Sequence, residues 1–164
     1  MSLNRLNSEP ATEAHSELLN CCGSSAWAKQ MVKARPFTDM DRLQETAERV
    51  WRSLTAEDWL EAFSKHPKIG ERKAESTSRG WSEQEQSGVR SASDDTRQKL
   101  AQLNREYEQK FGYIFIICAT GKTSDQMLSN LEDRLHNSAE KELHIAAAEQ
   151  AKITALRLEK LLNS

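Results

Sequence analysis

Glycine and proline, the residues that most often end helices and form turns, are scarce in this sequence. There are 6 Gly and 3 Pro among 164 residues, and runs of β-branched residues, which favour strands, are few. Apolar residues instead recur at helical spacing between these breakers. The sequence therefore predicts an all-α fold of about seven to nine helices, in one domain that spans residues 1–164.

Helix boundaries can be predicted from caps and breakers along the chain. Helices are expected from Pro10 to about Cys22, from a cap at Ser25 to Arg35, from about Asp39, from a Thr55–Asp58 capping box to His66, from Ser82, from Ser93 to Phe111, from about Ser124 to His136, and from Ser138 to Leu162. The apolar run 113–119 is strand-like, but one strand cannot make a sheet, so a buried extended connector is predicted there. The polar stretch 68–80 is interpreted as an ordered loop or a mobile lid.

Charge and cysteine content exclude several classes of protein. Lys plus Arg number 23 against 25 Asp plus Glu, and the signs are mixed, so binding to nucleic acid or to an anionic membrane is not expected. No apolar run approaches the roughly 20 residues that span a bilayer, and no signal peptide is visible. Cys21, Cys22 and Cys118 suggest no disulfide framework and no zinc site. A cytoplasmic protein without a bound metal is predicted.

His66 is the one of the four histidines that stands at a helix breaker, directly before Pro67. One interpretation is structural, because a histidine at a helix C-terminus interacts favourably with the helix dipole. The other is catalytic, because histidine exchanges protons near neutral pH. Taken alone, the residue favours the structural interpretation, since histidine is common at helix ends.

The segment Ser82-Glu83-Gln84-Glu85-Gln86 also allows two interpretations. Ser82 and Glu85 have the spacing of a capping box, which is a purely structural device. Glu85 and Gln86 would also lie in the first turn of a helix, where backbone N–H groups favour anionic or polar ligands. Both interpretations can hold for Ser82 at once.

The ensemble of motifs is more specific than any one of them. It comprises His66-Pro67-Lys68-Ile69-Gly70; Ser82-x-x-Glu85-Gln86 with Gly88; Leu103-Asn104-x-x-Tyr107-x-x-Lys110-Phe111-Gly112-x-x-Phe115; Arg134-Leu135-x-Asn137; Glu142; Arg157-Leu158; and, upstream, Trp27 and Arg35-Pro36-Phe37. From about Trp27 to Leu161 this pattern resembles the 2-oxo-4-hydroxy-4-carboxy-5-ureidoimidazoline (OHCU) decarboxylases. The resemblance implies an all-α fold of that type, a homodimer, and no metal or organic cofactor.

The same resemblance implies an activity and a set of site residues. The family decarboxylates OHCU, a small molecule formed after urate oxidation, to (S)-allantoin. His66 takes the position of the catalytic acid/base and Glu85 that of its partner carboxylate. The residues implied to contact substrate are Pro67, Ser82, Gln86, Arg157 and the backbone segment Ile117, Cys118, Ala119, Thr120 and Gly121.

Two rival functions remain as alternatives. A metal hydrolase would use His66 with Glu71 or Glu85, but a second well-spaced histidine is missing. A helical interaction module would dock a partner through the polar loop 68–80 and would expose an apolar stripe on one helix. The enzyme predicts instead a closed polar pocket around His66.

Overall fold

The structure is a computed structural model and describes residues 1–67 and 93–163. Within these ranges the chain forms eight helices and no strand, which confirms the all-α prediction. They are α1 (Leu3–Ser8), α2 (Ala11–Cys21), α3 (Ser25–Ala34), α4 (Met40–Ser53), α5 (Ala56–Ser64), α6 (Asp94–Phe111), α7 (Ser124–Arg134) and α8 (Ala139–Asn163). The predicted loop 68–80 and the helix predicted from Ser82 lie outside the described residues.

Side-chain caps set where several helices begin. The predicted capping box of α5 is present, with the Asp58 N–H 3.4 Å from Thr55 Oγ1 and the Thr55 N–H 3.2 Å from Asp58 Oδ2. The predicted cap of α3 is wrong by one residue, because Ser24 and not Ser25 accepts the N–H of Trp27, at 3.2 Å. Ser24 is fully buried, so its hydroxyl gains a partner while it satisfies an unpaired helix donor.

Two helix ends follow the predicted breakers. Helix α6 ends at Gly112, whose φ of 84° lies in the left-handed region that glycine tolerates without strain. Helix α5 ends at Ser64, two residues before His66, and Pro67 is the residue directly after His66. Helix α1 was not predicted, because its six residues are too few to establish a period.

The chain divides into two compact units, Met1–Ala62 with Ala151–Ser164, and Phe63–Gln150. That the whole chain acts as one domain stays a prediction. The first unit has an apolar interior, to which the successive helices α2, α3 and α4 contribute. Its buried side chains include Leu6, Ala14, Leu18, Cys21, Cys22, Trp27, Met31, Leu43 and Trp51. Trp27 is fully buried, and its indole N–H donates to the Ala47 carbonyl at 3.1 Å, so this tryptophan is a core residue.

The second unit is built around α6, α7 and the segment between them. Its core contains Leu100 and Tyr107 of α6, Met127 and Leu131 of α7, and Phe115, Ile117 and Ala119. Residues 114–119 are neither helix nor strand, and 115–119 are buried, as predicted for the connector. Irregular backbone is therefore buried in this unit, and its polar groups need partners there.

None of the helices among residues 1–67 and 93–163 is long and apolar enough to cross a membrane.

Candidate active site

His66 is held by the end of α5 and by one side chain of α8. Its backbone N–H donates to the Phe63 carbonyl at 3.2 Å, which tightens the turn after α5. Its ring Nε2 lies 2.5 Å from Oε1 of Gln150, a fully buried residue of α8. His66 and Pro67 are themselves half-buried. The ring is therefore oriented by a partner from the interior while part of it stays accessible.

The residue before Gln150 contacts the connector. Glu149 Oε1 accepts the backbone N–H of Cys118 at 3.1 Å, and the Lys122 ammonium donates to the Cys118 carbonyl at 2.8 Å. Glu149 and Cys118 are both buried. Two consecutive residues of α8 thus contact His66 and the 117–121 segment, two of the predicted parts of the site.

The exposed end of that segment is a tight turn. The Lys122 N–H donates to the Ala119 carbonyl at 3.0 Å, and Gly121 has a φ of 78°. A positive φ at the third position, with Thr120 at negative φ before it, is the geometry of a type II turn. Thr120 and Gly121 are exposed, whereas residues 117–119 are buried. The solvent-facing backbone of the predicted segment is therefore at Thr120 and Gly121.

Substrate can accept a hydrogen bond from the Cys118 amide only if it competes with Glu149 for the amide proton. A backbone amide has one proton, and that of Cys118 is already donated to Glu149. A substrate atom must replace the carboxylate or share the proton with it. Cys118 is 7% exposed and therefore belongs to the core.

A buried ionic network is centred on Glu142 of α8. The Nε and Nη2 atoms of Arg134 donate to Glu142 Oε2 at 2.9 and 2.5 Å. The Tyr107 hydroxyl donates to the same oxygen, and the Asn137 amide donates to Oε1 at 3.1 Å. Glu142 is fully buried. A buried carboxylate is tolerated only with such partners, so each donor offsets part of its desolvation.

The network also fixes the start of the connector. Arg134 Nη1 donates to the Ile116 carbonyl at 2.7 Å, and the guanidinium lies 4.4 Å from the centre of the Phe115 ring. Burial, and then the hydrogen bond to Glu142, raise the pKa of Tyr107 far above its ordinary value. Tyr107 therefore stays a hydrogen-bond donor, and the network supports the connector instead of supplying a base.

Arg157 belongs to the first unit and is buried. Burial raises the pKa of the Cys21 thiol to about 12 and that of Cys22 to about 11, although the positive charge of Arg157 opposes both shifts. Both thiols are therefore protonated and unreactive near neutral pH. The predicted contact of Arg157 with substrate stays a prediction.

Three predicted site residues, Ser82, Glu85 and Gln86, lie outside the described residues, as does Glu71 of the rival metal site. Within the described part of the chain, His, Cys, Asp and Glu side chains form no group of three or more that could hold a metal ion.

Sequence reasoning missed Glu149 and Gln150. A signal was present, because these two polar residues interrupt the alanine-rich segment Ala146–Ala151 of a helix. Buried helix positions are normally apolar, so a polar pair in such a segment indicates specific partners. The partners themselves, His66 and Cys118, are distant in sequence and could be identified only from the structure.

The sequence is similar over most of its length to a known protein family. A sequence model of the family described as OHCU decarboxylase matches residues 7–159. The chain belongs to the OHCU decarboxylase family. The resemblance predicted from the motifs is thereby confirmed.

The relatives of this family member include bifunctional uric acid degradation proteins and OHCU decarboxylases. The uric acid degradation bifunctional protein TTL of Arabidopsis thaliana is 42% identical over 149 residues, which cover 87% of this chain and 45% of that protein. The 2-oxo-4-hydroxy-4-carboxy-5-ureidoimidazoline decarboxylase of Haloferax volcanii is 27% identical over 163 residues, covering 99% and 95%. The chain thus spans less than half the length of the bifunctional relatives that it matches.

A solved structure has the same fold. The crystal structure of OHCU decarboxylase in the presence of (S)-allantoin matches with a TM-score of 0.80 and 43% sequence identity, and covers 90% of this chain and 98% of that chain. The match includes most of both chains, so the fold of this family member is that of an OHCU decarboxylase.

Proposed function

We propose that this protein converts OHCU into (S)-allantoin and carbon dioxide, without a metal or organic cofactor. The observation that carries the proposal is the match to an OHCU decarboxylase whose crystal structure was solved in the presence of (S)-allantoin, at 43% identity over 98% of that chain. Family membership over residues 7–159 supports the same activity.

The reaction needs an acceptor for the electron pair that the departing carboxylate leaves behind. In OHCU the carboxylated carbon adjoins a carbon–nitrogen double bond, so the pair moves into the ring as the nitrogen takes a proton. The resulting enol then loses its hydroxyl proton, and the ureido-bearing carbon gains one. The substrate is its own electron sink, and the protein supplies orientation, proton transfer and choice of face.

His66 and Glu85 are proposed to divide the proton transfers. Glu85, as carboxylate, accepts the hydroxyl proton while the product carbonyl forms. His66 delivers a proton to one face of the ureido-bearing carbon. The half-buried position of His66, with one ring nitrogen held by Gln150, supports this role, because a proton donor needs a fixed orientation and an accessible face.

Polar groups of the site are proposed to recognise the planar substrate. Gln86, Ser82 and the backbone near Thr120 and Gly121 would pair with urea and imidazoline edges, which present donors and acceptors. Pro67, Ile117, Cys118 and Ala119 would line the site. Arg157 would hold a carbonyl or an oxyanion, since a tight grip on the leaving carboxylate would stabilise the ground state and slow the reaction.

The protein is also proposed to act in the cytoplasm as a homodimer. The buried reduced thiols Cys21, Cys22 and Cys118 support a reducing compartment. Sedimentation of the purified protein measures its oligomeric state directly, and a monomer at micromolar concentration would contradict the dimer.

Circular dichroism of freshly generated OHCU tests the activity. We expect rapid appearance of the (S)-allantoin signal with the wild-type protein and its loss with His66→Ala, because proton delivery to one face is removed. His136→Ala is the matched control, since this histidine is exposed, and it should keep wild-type activity.

The outcomes separate the proposed enzyme from its rivals. Slow racemic decay that the wild-type protein does not change would reject the decarboxylase and favour the interaction module. Activity that a chelator abolishes would favour metal chemistry. His66→Ala with unchanged rate and stereochemistry would reject the role of His66 but not the activity.

A further inference from the structure

We infer that Gln150 is a positioning residue, which holds the His66 ring with its proton on Nε2, so that Nδ1 is the nitrogen that exchanges a proton with substrate. The chemistry assigned to Nδ1 rests on the proposed function, whereas the tautomer does not. Gln150 fits this role by its partner atom, its burial and its place in a long helix.

The partner atom decides the tautomer. His66 Nε2 lies 2.5 Å from Oε1 of Gln150, and an amide oxygen only accepts hydrogen bonds. The proton of a neutral ring must therefore be on Nε2. The second nitrogen, Nδ1, then carries the lone pair that acts as a base.

Because Gln150 is buried, loss of its hydrogen bond to His66 would be unfavourable in free energy. Gln150 is 0% exposed and His66 is half-buried, so an unpaired amide oxygen would lose its hydration without compensation. Gln150 is an interior residue of the 25-residue helix α8, whereas His66 follows the end of α5 in irregular backbone. The rigid element therefore orients the residue on the irregular one.

A neutral partner suits a residue that both accepts and donates a proton. The Nε2–H is present in the neutral ring and in the imidazolium, so the bond to Gln150 persists as Nδ1 gains or loses its proton. A carboxylate partner would bind the imidazolium more tightly and make it a weaker proton donor. The amide fixes orientation without that penalty.

Glu149, the residue before Gln150, holds the connector in place as Gln150 holds the His66 ring. Glu149 holds the Cys118 amide at 3.1 Å, one position before Gln150 on α8. The ring of His66 and the segment that leads to the proposed reading backbone at Thr120 and Gly121 are thus held by consecutive residues of one helix. A change at position 150 is expected to affect the catalytic step more than the binding of substrate.

The first experiment measures the tautomer without substrate. Ring nitrogen chemical shifts of ¹⁵N-histidine-labelled protein are recorded at a pH where His66 is neutral, and its signals are assigned by their loss in His66→Ala. The proton is expected on Nε2 in the wild-type protein. A proton on Nδ1 would overturn the inference, whatever the activity of the protein.

The second experiment removes the acceptor and then restores it. Gln150→Met keeps the approximate volume but has no strong acceptor, so a mixture of tautomers and a fall in kcat of about 10-fold or more are expected, with KM little changed. Gln150→Glu restores an acceptor and is expected to restore the Nε2–H tautomer. Gln102→Met, an exposed position of α6, is the matched control and should match the wild type.

These results separate the two proposals. A folded Gln150→Met variant with wild-type tautomer and wild-type kcat would refute the positioning role and leave the decarboxylase intact. A wild-type protein without (S)-allantoin production would reject the function, while its ring shifts would still test Gln150. If Gln150→Met does not fold, the wild-type tautomer and that of Gln150→Glu decide, and Nδ1–H in either one rejects the role.

Discussion

The two units of this chain use polar side chains in different ways. In the first unit, half-buried side chains bond to backbone at helix ends and in the loop between α3 and α4. Arg35 Nη1 donates to the carbonyls of Leu6 at 2.9 Å and Glu9 at 2.8 Å, and Asn7 pairs with the backbone of Phe37 in both directions at 2.8 Å. That interior is otherwise largely apolar, and its buried polar side chains are Glu9, Ser24, Thr154 and Arg157.

In the second unit buried polar side chains pair with one another and with irregular backbone. Glu142 gathers three donor side chains, and one of them, Arg134, also holds the Ile116 carbonyl. Glu149 and Lys122 satisfy the amide and the carbonyl of Cys118. Helices satisfy their own backbone, whereas a buried connector cannot, so buried charge accompanies the connector because its backbone requires partners.

Because its buried carboxylate depends on a cation, the second unit should lose more stability than the first when a charged side chain is removed. Arg134→Met leaves Glu142 buried without its cation and the Ile116 carbonyl without a donor. We expect a loss of about 3–5 kcal/mol in the free energy of unfolding, because an uncompensated buried charge costs more than the pair contributes. Urea denaturation followed by far-UV circular dichroism measures it.

Two further variants locate the cause of that loss. Arg134→Met combined with Glu142→Gln should recover part of the stability, since no buried anion remains. Arg52→Met removes an arginine whose ion pair with Glu48 is 3.8 Å long and largely exposed, and its effect should be small. If Arg134→Met and Arg52→Met lowered the free energy of unfolding equally, burial of the network would not be the cause of the loss.

The apolar interior of the first unit predicts a dependence on alkaline pH. Folding raises the pKa of Cys22 from 9.0 to about 11 and that of Cys21 to about 12, through burial. The unfolded chain then loses thiol protons above pH 9 while the folded chain keeps them, so stability is full below pH 9 and falls as the pH rises toward 11. Between pH 8 and 10 we expect a loss of about 3 kcal/mol from these thiols together.

A double variant isolates the contribution of the thiols. Urea denaturation at pH 8 and pH 10 is compared between the wild type and Cys21→Ala/Cys22→Ala. The variant should lose less stability over this interval, because its remaining alkaline titration comes from other groups. An identical pH dependence in both proteins would show that the two thiols ionise equally in the folded and unfolded chain.

Helices and their ends were largely predictable because their signals are local. The boundaries of α4, α5 and α6 follow from Asp39, the Thr55–Asp58 box, Ser93 and Gly112, each of which acts within one helical turn. Local signals did not predict which side chains of the second unit form the network that supports the connector. Arg134, Tyr107 and Glu142 stood in the motif pattern, but nothing in their spacing indicates that they share one buried carboxylate.

The site residues were predicted by resemblance and not by spacing. His66 and the 117–121 segment come from the family pattern and stay predicted parts of the site. The structure adds that consecutive residues of α8, Gln150 and Glu149, contact them. Gln150 and Glu149 escaped prediction because a contact across about 84 residues, such as that of His66 with Gln150, leaves no periodic signal in a single sequence.

The cap of α3 gives the smallest and most local test of the comparison, since it concerns a polar group of the first unit that serves only a helix end. Ser24→Ala removes the acceptor of the Trp27 N–H, and we expect a loss of about 1 kcal/mol, measured by urea denaturation. Ser25→Ala is the matched control: its exposed hydroxyl donates to Glu61 at 2.8 Å, and the backbone N–H of Ser25 still reaches that carboxylate at 2.9 Å after the change. If Ser25→Ala costs more than Ser24→Ala, the cap lies where the sequence pattern first indicated, and the buried hydroxyl of Ser24 does not serve the helix end.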